Sequence, residues 1–453
     1  LQPNSTLYNI PRALLLKGNL DMAALQQALE QIFTRHQVLR TTYAARAGQP
    51  YQTVSEDTAF PLPLQDLSHL DPQQRQEEAL RLSQEEANRP FDMANDSMMR
   101  AQLLRLQPQE HVLLLTQHHI ASDGWSNSIL TRELSALYNA FQQGLPSPLP
   151  DLPIQYADYA VWQRNWLQGE ALERQVSYWR ERLSGAPPVL ALPTDRPREE
   201  ADSYQGAMHR FTAPEALGEG LRRVCREERA TPFMVLLAAF QVLLYRWTGQ
   251  PDLVVGTDVA NRTQAETEGL IGFFLNHLVL RTDLSGDVDF REVVRRVREG
   301  CLGAYAHQDL PFDKLVEVLQ PERSGSHTPI FQVLFVVQNV PEVRVDMRGV
   351  DLSSYGRGVG SSKFDLSLFL GESGGEMEGA WVYRTDLFEA SSIGRLSGQF
   401  LSLLDELLSH PDIRIEDVEL WYGEGSEMES AAASVSGGVR GSRRRSRVVV
   451  ERG

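Results

Sequence analysis

The densest cluster of residues able to do chemistry is Gln117-His118-His119-Ile120-Ala121-Ser122-Asp123-Gly124-Trp125-Ser126. Near neutrality an imidazole can exchange a proton or hold a nucleophile in place, and a neighbouring carboxylate can orient it or pair with a cation. The cluster follows an apolar run, Val112 to Leu115, and precedes a helical pattern that starts near Asn127. It is therefore expected at a strand-to-helix junction, where α/β folds concentrate ligands and catalysts. Successive strand residues point to opposite faces, so only one of His118 and His119 can serve a given target. Asp123, Gly124 and Ser126 suit a tight turn and a helix amino terminus, where polar side chains satisfy unpaired N–H groups. The spacing lacks the i, i+4 histidine pair of a helical zinc site and no third His or Cys lies close by, so no metal is expected.

The elements that must position this cluster follow from the hydrophobic periods. Arg12 to Lys17 reads as a strand, and Asp21 caps a helix with Leu25, Leu29, Ile32 and Phe33 on one face. Val38 to Tyr43 then turns extended. Ser83 to Asn88 is expected to be helical, and Met99 to Leu106 with His111 to His118 predicts a hairpin around Pro108. Two amphipathic helices follow at Tyr156 to Leu167 and Leu172 to Leu183. In the second half, Thr231-Pro232 opens a nearly all-apolar helix that stops at Gly249, and an element apolar on every side must be buried. Strands are expected at Leu253 to Thr257, Leu278 to Thr282, Ile330 to Val337, Phe364 to Leu370 and Ala380 to Tyr383, before a last amphipathic helix from Ile393 to Leu407. Gly185-Ala186-Pro187-Pro188, then Pro193, Pro197 and the charges of Arg196 to Glu200, read as a linker. The expected division is an amino-terminal lobe over 1–185, a linker over 186–200, a carboxy-terminal lobe over 201–422 and a disordered Ser/Gly/Arg-rich tail over 423–453.

With 453 residues the chain exceeds one small module, and its 42% apolar content can build a large core. The balance of 44 basic against 60 acidic residues gives a net charge of −16, which argues against nucleic acid as a partner. The longest apolar stretch, Phe233 to Leu244, is broken by Gln241 and is shorter than the ~20 residues of a membrane helix, so no membrane association is expected. Cys225 and Cys301 are too few for a disulfide framework, which makes a reducing cytoplasm the default location. The start, Leu1-Gln2-Pro3-Asn4, has neither Met nor a signal pattern and reads as a cut from something longer.

The H-H-x-x-x-D-G run at His118 to Gly124 resembles the signature of condensation domains of non-ribosomal peptide synthetases, relatives of chloramphenicol acetyltransferase. Further segments resemble that family's motifs in order. They are Arg35 to Thr41, Tyr156 to Trp162, Ile271 to Asn276, His307 to Asp313 and Arg323 to Pro329. The family's opening S-x-A-Q-x-R segment is absent, and His277 stands where Thr is common.

The resemblance implies an α/β fold of two chloramphenicol-acetyltransferase-like lobes, a V-shaped pseudodimer with a central tunnel. Donor and acceptor peptidyl carrier proteins would deliver substrates on phosphopantetheine to its two mouths. A neighbouring adenylation domain of a larger synthetase would load them, and no cofactor would be held tightly. The implied reaction is attack by the α-amine of an acceptor aminoacyl thioester on a donor aminoacyl or peptidyl thioester. His119 would be catalytic, as base or by positioning, with the Gly124 N–H as helper. His118 and Asp123 would support the site, Asp123 by pairing with Arg40 or alternatively Arg35. Trp125, Ser126, Asn276 and Gln338 are candidates for lining the tunnel, although Asn276 and Gln338 could equally satisfy backbone groups. Trp162, Trp166 and Trp179 are expected to be core or carrier-contacting residues.

Four related readings stand as alternatives. An epimerization domain also needs an E-G-H-G-R type segment, which does not occur here, and a heterocyclization domain would carry aspartates in place of the histidines. A coenzyme A-dependent acyltransferase would share the H-x-x-x-D core without the motif series. A catalytically silent carrier-binding module would bind carriers and form no product.

Overall fold

A computed structural model describes residues 5–198, 204–321, 327–338, 346–356, 360–373 and 376–420. The expected tail, the opening residues and part of the segment from Arg323 lie outside the described residues. The first half runs β1 (Asn9–Gly18), α1 (Met22–Arg35), β2 (Thr41–Arg46), β3 (Gln49–Val54), β4 (Leu64–Asp66), α2 (Pro72–Ala87), β5 (Met99–Gln107), β6 (Glu110–His118), α3 (Gly124–Phe141), α4 (Tyr156–Trp166) and α5 (Gly169–Leu183). The second half runs β7 (Gly206–Thr212), α6 (Ala216–Glu228), α7 (Pro232–Thr248), β8 (Asp252–Val259), β9 (Asn276–Asp283), α8 (Phe290–Tyr305), α9 (Phe312–Leu319), β10 (Val333–Gln338), β11 (Val350–Ser354), β12 (Leu366–Ser373), β13 (Glu376–Arg384) and α10 (Ala390–Ser409).

Local chemistry sets the ends of the elements. Asp21 Oδ1 accepts the N–H groups of Ala23 and Ala24 at 3.0 Å, which caps α1 and turns Leu25, Leu29 and Ile32 into a fully buried face. Thr231 caps α7, Pro232 occupies its first turn, and Gly249 ends it in the left-handed conformation at φ 70°. Met234 through Leu244 are all buried, so α7 is the axis of the second core. The extended segment expected from Val38 begins later. Gln37–Arg40 forms a 3-10 turn and β2 starts at Thr41, because Gln155 Oε1 accepts the Gln37 N–H at 3.1 Å while Thr41 Oγ1 donates to the Gln37 carbonyl.

Two sheets carry the halves. The first has the order β11-β1-β6-β5-β4, and the second, mixed sheet the order β7-β13-β12-β10-β8-β9. Helices α1 and α3 cover the first sheet, with Leu29, Leu134 and Leu137 packed onto Leu113 and Leu115 of β6. A strict division at 186–200 needs one correction. β11 comes from the second half of the chain yet pairs antiparallel with β1, Leu16 opposite Leu352, so the halves share a sheet edge. Gly18 sits where that crossing is tightest: its φ is +129° and an added Cβ would overlap the Gly349 carbonyl.

Candidate active site

Strand β6 delivers the histidine pair. The His118 N–H donates to the Met98 carbonyl at 3.0 Å and the His119 N–H to the Tyr8 carbonyl at 2.8 Å, which fixes the backbone as the strand ends. His118 is buried between the rings of Tyr8 and Phe91, and its Nδ1 accepts the Ile120 N–H at 3.1 Å. It therefore supports the turn. His119 faces elsewhere and is partly exposed, its ring edge-on to Phe273 at 4.9 Å. Among the described residues its Nδ1 is buried without a hydrogen-bond partner, and its Nε2 makes no hydrogen bond to the protein. Burial, followed by the Lys363 ammonium, pushes the His119 imidazole down to about 4. Burial with Lys363 and Arg100 does the same to His118, also to about 4. Both rings are neutral at physiological pH.

Asp123 caps α3 and does more than cap. Its Oδ1 accepts the Ser126 N–H at 2.8 Å and the Ser126 hydroxyl at 2.7 Å, and its Oδ2 accepts the Phe274 and Leu275 N–H groups at 3.0 and 3.2 Å. Its cationic partner is Arg262, Nη2 to Oδ1 at 3.3 Å, with the two side chains 2% and 1% exposed. The expected pairing with Arg40 or Arg35 is thus corrected. The Arg40 guanidinium is turned to the Ser55 carbonyl after β3, and Arg35 Nε binds Glu133 Oε1 at 3.1 Å on α3. Both arginines lie among the elements of the first half, whereas Asp123 points at the segment between β8 and β9. Arg262 also donates to the carbonyls of Thr267 and Leu270 and lies 4.0 Å over the Phe274 ring.

That segment, residues 260–275, crosses to the histidine turn and is held from several sides. His36 Nδ1 accepts the Ile271 N–H at 3.2 Å while its Nε2 meets Glu133 at 2.8 Å. The Tyr156 hydroxyl donates to the Phe273 carbonyl at 2.8 Å, and its ring packs so closely on Gly272 that an added Cβ would come within 2.3 Å of it. The motif residues around Arg35, Tyr156 and Ile271 therefore meet at one place, behind Phe273 and His119.

The tunnel-lining candidates divide. Ser126 is fully buried inside the Asp123 network, where it also bonds Gly272, so it lines nothing. Asn276 spends its side chain on backbone, donating to the carbonyls of Gln308 and Leu310 and accepting the Phe312 N–H at 2.9 Å. Trp125 is half-buried and its Nε1 donates to the Glu268 carbonyl at 3.0 Å. Gln338 ends β10 with an exposed side chain. Gly124 is exposed at the first turn of α3, and a Cβ added there would meet open space. Trp179 is core and donates to the His307 carbonyl, whereas Trp162 and Trp166 stack on each other at the surface of α4. Cavities of about 510 Å³ beside Tyr178 and Arg182, and about 560 Å³ between Lys17 and Asp351, do not include His119.

Arg262 is the residue that sequence reasoning missed. Its sequence neighbours, Asn261, Thr263, Gln264, Glu266 and Glu268, are those of an exposed loop, so nothing local marked it as the partner of a buried carboxylate.

Residues 1–428 match the family described as Condensation domain. The chain is 47% identical over 422 residues to one of the linear gramicidin synthase proteins of Brevibacillus parabrevis, covering 93% of this chain and 8% of that protein. It is 40% identical to phosphinothricin tripeptide synthetase PhsB of Streptomyces viridochromogenes, covering 92% of this chain and 35% of the relative. The chain thus spans a small part of these relatives. Among solved structures it resembles the X-domain from teicoplanin biosynthesis, with a TM-score of 0.83, 30% identity and coverage of 92% and 94%. It also resembles that X-domain in its complex with OxyB, with a TM-score of 0.82, 30% identity and coverage of 92% of each chain.

Proposed function

The chain belongs to the condensation-domain family, and from that premise we propose that it joins a donor aminoacyl or peptidyl thioester to the α-amine of an acceptor aminoacyl thioester. Both substrates are carried on phosphopantetheine of peptidyl carrier proteins, within a synthetase that also contains an adenylation domain. The observation that carries this reading is His119, a neutral imidazole at the end of β6 with no hydrogen bond from Nε2 to the described residues, braced by a turn that Asp123 and Arg262 lock from opposite halves.

The acceptor α-amine has an ordinary pKa of roughly 7.7–8.0, so part of it is already nucleophilic near neutrality. An imidazole held near 4 is a weak base toward such an amine. His119 therefore acts mainly by positioning, with its Nε2 holding the attacking nitrogen against the thioester carbonyl. The Gly124 N–H, among the unpaired donors at the start of α3, meets the charge that develops on the carbonyl oxygen. Collapse of the tetrahedral intermediate expels the donor carrier's thiolate, which takes up the proton lost from nitrogen. The two halves of the chain form the lobes flanking the passage.

A second reading follows from likeness to an X-domain solved with a protein partner: a module that recruits partners and joins nothing. One assay separates the two. The chain is mixed with two defined carrier-bound aminoacyl thioesters and the acceptor carrier is weighed by mass spectrometry. Condensation adds the donor acyl group to the acceptor carrier, whereas carrier binding without that mass gain supports the recruitment reading.

A further inference from the structure

His277 is the departure from the family pattern that the mechanism above leaves unused. It faces Asp258 across the β8–β9 ladder, His277 Nδ1 to Asp258 Oδ1 at 2.6 Å, with side chains 27% and 19% exposed. This rung is next to the last, Val259 opposite Asn276, before the chain leaves for the histidine turn. Four residues on from Asp258, Arg262 grips Asp123, and four residues before His277, Phe273 packs against His119. A second route leads to the same place. The His277 ring meets Phe364 edge-on at 5.7 Å, the adjacent Lys363 holds its Nζ 4.7 Å over the Tyr8 ring, and the Tyr8 carbonyl accepts the His119 N–H.

We propose that Asp258 and His277 form a second carboxylate–imidazole pair of the site, in which His277 Nε2 takes the proton from the acceptor's α-ammonium before attack. This deepens the condensation reading and rests on it. A carboxylate on Nδ1 holds the tautomer with hydrogen on Nδ1 and leaves the lone pair on Nε2, which makes no hydrogen bond among the described residues, as in carboxylate–histidine dyads. Phe312, Phe331 and Phe364 surround the ring edge-on or nearly so, and Asp258 is the charged group bonded to it among the described residues. Lys363 and His119 both lie within electrostatic reach of Asp258. The roles divide by chemistry: His119, held near 4, retains no proton from an ammonium, so it positions while the carboxylate-backed imidazole accepts.

The step balances. The ammonium N–H bond breaks and its proton goes to His277 Nε2, giving an imidazolium beside Asp258. The freed nitrogen lone pair forms the C–N bond as the C–S pair leaves with the donor carrier's sulfur. The second nitrogen proton reaches that thiolate, and the imidazolium returns its proton to water.

The test is single-turnover condensation with the full chain and two loaded carriers. The acceptors are an accepted aminoacyl group and its aminooxy analogue, whose nitrogen is unprotonated at neutral pH. His277→Gln is expected to lose roughly tenfold or more in rate with the amine. With the aminooxy acceptor it is expected to stay close to wild type, with carrier affinity unchanged in both cases. Asp258→Asn, which keeps the shape of the pair, is expected to show the same dependence on nucleophile to a smaller extent, and serves should the histidine variant fail to fold. Wild-type rates for both variants with the amine, or equal losses with both nucleophiles, overturn the proposal while leaving the condensation reading intact. A wild-type chain that forms no amide with any loaded pair overturns both.

Discussion

Arg262 and Asp123 lie 139 residues apart in sequence and meet at 3.3 Å, both almost fully buried, where the second half of the chain touches the turn that follows His119. A carboxylate at a helix start needs donors, and Asp123 has them from Ser126, Phe274, Leu275 and Arg262. The position of the turn that follows His119 is therefore set by residues from both halves.

Removing that cation leaves a charge buried without its partner. Arg262→Ala is expected to cost about 3–5 kcal/mol of stability and to depress turnover with it. Arg40→Ala, which loses a contact to the Ser55 carbonyl, is expected to cost about 1 kcal/mol. Urea melts of the two variants check the ranking, and equal losses would contradict the assignment of Arg262 as the Asp123 partner.

Acid should act through the histidine pair. Both rings are pushed from the ordinary value of 6.5 down to about 4. The unfolded chain therefore binds more protons than the folded one between those values, and stability falls as pH drops through that window. Each ring contributes on the order of 1 kcal/mol or more to this loss. Thermal melts from pH ~7 to ~4 are expected to show a smaller acid-induced drop for His118→Gln than for wild type.

Gly124 is expected to tolerate substitution for folding and, under the proposed function, to be sensitive for activity. Its backbone is not in the left-handed region, and a Cβ there meets open space. Gly124→Ala is thus expected to melt within about 1 kcal/mol of wild type, as Ala is the better helix former. If that space belongs to the substrate, single-turnover rate falls while carrier affinity holds. Unchanged turnover would assign the space to solvent.

Much of this was legible in the sequence because it is local. The Asp21 cap, the Thr231-Pro232 start and Gly249 stop of α7, and the β5–β6 hairpin each depend on residues within one turn or one strand of each other. The histidine junction was legible for the same reason. What was not legible is long-range. Nothing near Asp123 in sequence distinguishes Arg40 or Arg35 from Arg262, because a buried carboxylate selects a partner by three-dimensional proximity. β11 is a short, largely exposed strand, and its place beside β1 is fixed by register with a strand in the other half. Asn276 and Ser126 looked like site residues by their motifs, but their hydrogen bonds go to backbone or to Asp123.

If His119 is the side chain at which two tethered substrates are joined, its removal must stop the joining and little else. Mass analysis of the acceptor carrier after a single turnover of wild type and His119→Ala, with carrier binding and melting temperature recorded in parallel, decides the matter. Wild type is expected to transfer the donor group, and the variant to lose roughly 100-fold or more in rate with fold and carrier binding retained. Transfer by the variant at close to the wild-type rate would remove His119 from that role.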